Sequence, residues 1–206
     1  MALKMSWTVV LGHPGDLSDH PGREFVDRGD FAGAEAVSRK ALRESVRIHG
    51  SGNVDALPIL DSLASALMGA GRFEEAEPVL REALEITLKF RGSESRDAFD
   101  RFLNLGYVRL NTGEFEQAVK DFSQVINFRE RRVGPRNPLT LVARTYQAIA
   151  LAEEGKLDQA LPIFEDVLKI MEETPPNEGV YLNMARHNAD LAAKLSEKQA
   201  SPGMDA

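Results

Sequence analysis

One spacing constrains this chain more than any other feature. A Gly-x-apolar-x-x-Ala string occurs at Gly29-Asp30-Phe31…Ala34, Gly71-Arg72-Phe73…Ala76, Gly113-Glu114-Phe115…Ala118 and Gly155-Lys156-Leu157…Ala160. Successive copies are 42 residues apart, and a second set of glycines, Gly50, Gly92 and Gly134, follows the first by 21. Four in-phase copies without an insertion mark a repeated supersecondary unit, one that buries its apolar surface by stacking on its neighbours.

The apolar spacing inside each copy is helical. After Gly113, Phe115, Ala118, Val119, Phe122, Val125 and Ile126 fall on one stripe of a helix, and Phe73, Ala76, Leu80, Ala83 and Leu84 repeat it. A further stripe precedes each glycine, as in Leu60, Leu63, Ala64 and Leu67, or Phe102, Leu105, Gly106 and Leu110. Each unit therefore reads as helix A, a tight turn at the glycine, and helix B. The small residues Ala76, Ala118 and Ala160 fall early in helix B, where a bulky side chain would hold the partner helix away. The connecting segments, such as Gly50-Ser51-Gly52-Asn53 and Gly134-Pro135-Arg136-Asn137-Pro138, are rich in helix breakers.

Composition narrows the function. Lys+Arg number 25 against 32 Asp+Glu, a net charge of −7 that argues against a nucleic-acid partner. With no cysteine, a disulfide framework and thiolate chemistry are both excluded. The near-apolar run Met5 to Leu11 is far shorter than the ~20 residues of a membrane span, and no cleavage signal follows it before Gly12-His13-Pro14. The expectation is a soluble cytoplasmic protein.

The Gly, aromatic and Ala positions resemble the tetratricopeptide repeat, with a step 8 residues longer than its usual ~34. The linker Val133-Gly134-Pro135-Arg136-Asn137-Pro138 and the helix B start Phe73-Glu74-Glu75-Ala76-Glu77-Pro78 are similar to the kinesin-light-chain type. The resemblance implies an all-α fold, a right-handed superhelical solenoid of antiparallel helix hairpins closed by a C-terminal capping helix. It divides the chain into an extended or disordered arm (1–22), a repeat domain (23–198) and a flexible tail (199–206). Within the domain the units run about 23–53, 54–95, 96–137 and 138–176, with the cap at 177–198. The first unit lacks a full helix A because Pro21-Gly22 interrupts it, and in the fourth Arg144 and Gln147 replace apolar positions. Pro78 and Pro162 stand at equivalent places inside helix B, where local rules call for a break; their recurrence implies that the array accepts them.

In such an array helix A lines a concave groove. The resemblance places groove residues at Asp61 and Ser65 in the second unit, at Asp100, Leu103, Asn104 and Tyr107 in the third, and at Thr145, Ile149 and Glu153 in the fourth. Asn104 occupies the place of an asparagine that binds a ligand's backbone in light-chain repeats, whereas Ser62 and Tyr146 stand there in the other units. Asp61 and Asp100 have the wrong sign for the carboxylate clamp of chaperone-binding repeats. An acidic groove with Tyr107, Leu103 and Ile149 suits a protein or peptide partner carrying basic residues between apolar anchors. The alternative is a solvated helix face on which Asp100 and Arg101 pair with neighbours.

The leading expectation is a non-catalytic protein-interaction module that uses no cofactor or metal and touches neither nucleic acid nor membrane. A second is a self-associating scaffold, since the short first helix A leaves Phe31, Val37 and Leu42 partly uncovered. A third is a small-molecule or metal site in the loop holding His13, Asp16, Asp19 and His20, residue types that can bind zinc or iron. His49 and His187 stand alone, and no nucleophile elbow, phosphate loop or dinucleotide fingerprint occurs.

Overall fold

The computed structural model of the protein describes residues 22–173 and the single positions 190, 194 and 197. Residues 1–21 of the expected arm, with the histidine loop, the capping helix apart from those three positions, and the tail lie outside the described residues. Eight α-helices are described: α1 (Arg23–Asp27), α2 (Phe31–His49), α3 (Leu57–Gly69), α4 (Phe73–Arg91), α5 (Arg96–Thr112), α6 (Phe115–Val133), α7 (Pro138–Glu153) and α8 (Leu157–Glu173), with a 3-10 turn at Val54–Ala56. There is no strand among the described residues. The four A–B hairpins are thus α1–α2, α3–α4, α5–α6 and α7–α8.

Local chemistry sets the helix ends at the same step as the glycines. The side chain of Asn53 accepts from the Ala56 amide at 2.9 Å, Ser95 from Ala98 at 3.3 Å and Asn137 from Leu139 at 3.0 Å. These residues, 42 apart, stand just before helix A, where their side chains satisfy an otherwise unpaired amide. Helix B ends at Gly92 with φ of 82°, a left-handed conformation that costs other residues energy. Pro78 and Pro162 do not break their helices; α4 and α8 continue through them. Pro78 lies on the exposed side of α4.

Packing follows the repeat. Ala34, Ala76, Ala118 and Ala160 have no exposed surface, and Leu60, Leu63, Ala64 and Leu67 are equally enclosed. Phe73 and Phe115 are half-buried, as is Leu157. The first helix A is reduced to the five residues of α1, as the Pro21-Gly22 interruption implies.

The chain divides into two compact units whose boundary falls at Glu114–Phe115, inside the third hairpin rather than between repeats. In the first, α2 packs on α3, α3 on α4 and α4 on α5. Ion pairs also join successive hairpins here. Arg72, before α4, reaches Glu35 on α2 at 2.5 Å and Glu75 at 2.6 Å, and Arg109 on α5 reaches Glu77 on α4 at 3.4 Å. In the second, α7 packs between α6 and α8. Its two unexpected polar residues are both engaged: Arg144 pairs with Asp166 at 2.7 Å, and Gln147 donates to the Ser123 hydroxyl at 2.7 Å.

Candidate functional site

The helix A positions of the three complete hairpins can be compared in register, each copy serving as a control for the others. In the fourth hairpin the register is filled by buried side chains. Val142, Ala143, Tyr146 and Ile149 are buried, and the buried Thr145 donates its hydroxyl to the Leu141 carbonyl at 2.9 Å. In the first unit the same register carries Asp100 where Val142 stands, Arg101 where Ala143 stands, Asn104 where Tyr146 stands, and Asp61 at the place of Leu103 and Thr145. The repeat register thus carries polar groups in one unit and buried residues in the other.

They are brought together across α3 and α5. Arg101 donates from Nη2 to Asp61 Oδ2 at 2.8 Å and from Nη1 to the Asp97 carbonyl at 3.1 Å. Its side chain is only 7% exposed, whereas that of Asp61 keeps 32% of its surface open. Asp97 pairs with Arg91, and Asp100 lies 3.6 Å from Arg96. Asn104 is half-buried, one turn beyond Asp100, with its Oδ1 enclosed and accepting no hydrogen bond. The Ser65 hydroxyl donates to the Asp61 carbonyl at 2.7 Å and is thus used within its own helix.

Burial is the largest influence on Asp61 and pushes its carboxyl up; Arg101 opposes, Asp100 reinforces the rise and Arg91 opposes it, leaving the pKa at about 6. Burial likewise lowers Arg101, against the attraction of Asp61.

Not all the expected groove residues reach solvent. Leu103, Tyr107, Thr145 and Ile149 are between 1% and 6% exposed and belong to the packing. Tyr107 lies edge-on against Phe73, which removes it as an open anchor. Asp61, Ser65, Asp100, Asn104 and Glu153 stay partly open, Glu153 alone in the second unit. Position within a helix did not distinguish the two groups, because whether a register position is open depends on the side chains that neighbouring helices place over it. Sequence reasoning noted Arg101 only as a pairing residue, and its signal was present: a guanidinium where Ile59 and Ala143 stand in the flanking copies.

No group of metal-ligating side chains able to hold an ion occurs among the described residues, and no described helix is long and apolar enough to cross a membrane.

Profiles of the tetratricopeptide repeat match residues 59–97 and 100–173, together more than half of the chain. Curated proteins give no match. Among solved structures, the chain is similar to the kinesin-light-chain nearly identical TPR-like repeats of Podosopora anserina, with 20% identity, TM-score 0.73, and 87% of this chain and 85% of that chain covered. A second crystal structure of those repeats gives 19% identity and TM-score 0.75, covering 96% and 91%. BtubC (BKLC) from P. vanneervenii gives 18% identity and TM-score 0.65, covering 90% and 80%. At these identities the likeness speaks for the fold, a TPR-like solenoid, and solenoids of this kind are generally non-catalytic. The chain belongs to the tetratricopeptide repeat family, whose repeats act as protein–protein interaction or scaffold modules.

Proposed function

We propose that the first unit holds a segment of a partner protein against its helix A face, at Asp61, Asp100 and Asn104, with Ser65 beside them. The observation that carries this reading is the comparison between hairpins: these polar side chains stay partly open at register positions that the fourth hairpin fills with buried residues. Polar side chains that depart from the register of another copy, on a face that such modules use for contact, are where recognition is sought. The side chains that stay partly open here are two carboxylates, Asp61 paired with Arg101 and Asp100 beside Arg96, and the carboxamide of Asn104, whose oxygen is enclosed. They suit a partner segment bearing a basic residue, with apolar neighbours to fill the adjoining surface. As expected from the sequence, the module is taken to be non-catalytic and cytoplasmic.

The test compares wild type with a chain carrying Asp100→Lys and Asn104→Ala. Partners retained by the immobilised wild type are identified by mass spectrometry, and their affinities for both chains are measured by calorimetry. We expect a loss of about tenfold or more with an unchanged unfolding midpoint. Equal affinities would reject the assignment.

Self-association is the second reading. Val37 is 37% exposed and Ile48 57% exposed on α2, the helix with the short partner. Against it stands Glu44, exposed at the position that Ile86, Phe128 and Ile170 occupy as buried residues in the later copies. A carboxylate there suits an end that faces water.

A further inference from the structure

We propose that the open stripe of α2 is a second docking surface, separate from the helix A face. It takes an amphipathic helix of a partner protein whose apolar side is bordered by carboxylates.

The second hairpin shows what covers such a stripe. On α4, Val79, Ala83 and Ile86 lie against Leu57 and Leu60 of α3, Ala56 of the 3-10 turn and Leu42 of the preceding α2. The residues 42 positions earlier are Val37, Ala41 and Glu44, and with Ile48 they form one stripe of α2 at spacings of four, three and four. The short α1 reaches only the first turns, where Phe25 and Val26 pack with Phe31 and Ala34. Beyond it the stripe opens, with Val37 37% and Ile48 57% exposed, whereas Ala83 and Ile86 are buried on α4. The equivalent stripe of α4 is closed mainly by side chains of two other helices, so a helix is the shape that fits here.

Charge selects the partner. Lys40, Arg43 and Arg47 run beside the stripe at spacings of three and four, all exposed. Glu44 already accepts from Arg47 Nη2 at 2.6 Å and from Nε at 3.0 Å. Lys40 and Arg43 form no ion pair among the described residues. On α4 the same two positions carry Glu82 and Glu85, also exposed. In a chain of net charge −7, two cations border the open stripe and two carboxylates border the closed one. A two-fold pairing of α2 with α2 would set cations against cations, while a helix edged with glutamate or aspartate is attracted. Glu44, held by Arg47, keeps the stripe wetted in the free protein and calls for a polar residue opposite it.

The test uses the full chain and a capped, stapled helical peptide, the staple removing most of the ordering cost. The peptide carries leucines along one side and glutamates along its border; a control carries lysines in place of the glutamates. Fluorescence anisotropy measures affinity, and amide NMR shifts locate the contact. The glutamate peptide should bind, shifting Val37, Lys40, Arg43 and Ile48, and the lysine peptide should not. Lys40→Glu with Arg43→Glu should weaken binding about tenfold or more, as should Val37→Ser with Ile48→Ser, both at an unchanged unfolding midpoint. Lys169→Glu, at the register of Arg43 in the fourth hairpin, should keep wild-type affinity. No binding of the glutamate peptide, or equal binding of both peptides, overturns the proposal. Two further outcomes also overturn it, if they replace peptide binding and are abolished by Lys40→Glu with Arg43→Glu. Sedimentation with phosphatidylcholine–phosphatidylserine vesicles would assign the stripe to a membrane surface, and concentration-dependent association of the chain alone would assign it to a second copy.

Discussion

Tyr107 on α5 meets Phe73 on α4 edge-on, with ring centroids 5.8 Å apart and an interplanar angle of 74°. Phe73 opens helix B of the second hairpin and Tyr107 lies in helix A of the third, so the contact joins consecutive repeats. Edge-on packing sets the positive rim of one ring against the negative face of the other. Truncating Tyr107 to alanine leaves a cavity at this joint. The expected cost is about 3–5 kcal/mol, measured by urea unfolding; a change within about 0.5 kcal/mol would show that the ring is not part of the packing.

Gly69 reverses a local rule. A glycine inside a helix ordinarily gains about 1 kcal/mol on replacement by alanine, and the other copies carry Asn111 and Glu153 at this place. In the folded chain a Cβ at Gly69 would stand 2.3 Å from Cε1 of Phe31. Gly69→Ala should therefore destabilise, by about 1–3 kcal/mol, and Phe31→Leu should recover part of the loss. Thermal unfolding of the two single variants and the double variant checks both signs.

Asp61 also leaves a mark on folding that can be read without a partner. Its folded pKa, about 6, lies above that of an unfolded aspartate. Its favourable contribution is therefore complete below about pH 4 and is lost as pH rises through 6. Wild type should gain stability relative to Asp61→Asn on acidification across that window. Urea midpoints of both chains between pH 3.5 and 7.5 test this, and parallel curves would contradict it.

Glu44 is exposed on α2 and pairs with Arg47. Glu44→Ile restores the residue type of the later copies on a helix whose own partner is short. Apolar surface of this kind recruits further copies. Sedimentation should show concentration-dependent association of the variant in excess of wild type, and identical profiles would remove Glu44 as a determinant.

Much of the molecule was legible because the repeat reports on itself. The 42-residue step fixed which glycines turn the chain, and the alanines it singled out at 34, 76, 118 and 160 are fully enclosed. Pro78 would have ended a helix on local grounds, and only its recurrence at Pro162 argued otherwise. The site was harder to read. Helical spacing and the family resemblance place Asp61, Tyr107 and Ile149 on comparable parts of helix A, yet Asp61 stays a third open while the other two are covered. Exposure at a register position is decided by what neighbouring helices lay over it, as Phe73 does over Tyr107.

The sequence by itself determined the hairpins, their register and the buried side of each helix B, because these follow from short-range spacing repeated four times. Only the tertiary structure decided that Asp61 and Arg101, 40 residues apart, share one ion pair, and that Gly69 must stay small beneath Phe31. Those outcomes depend on distances between side chains of different hairpins, which no periodicity along a single helix encodes.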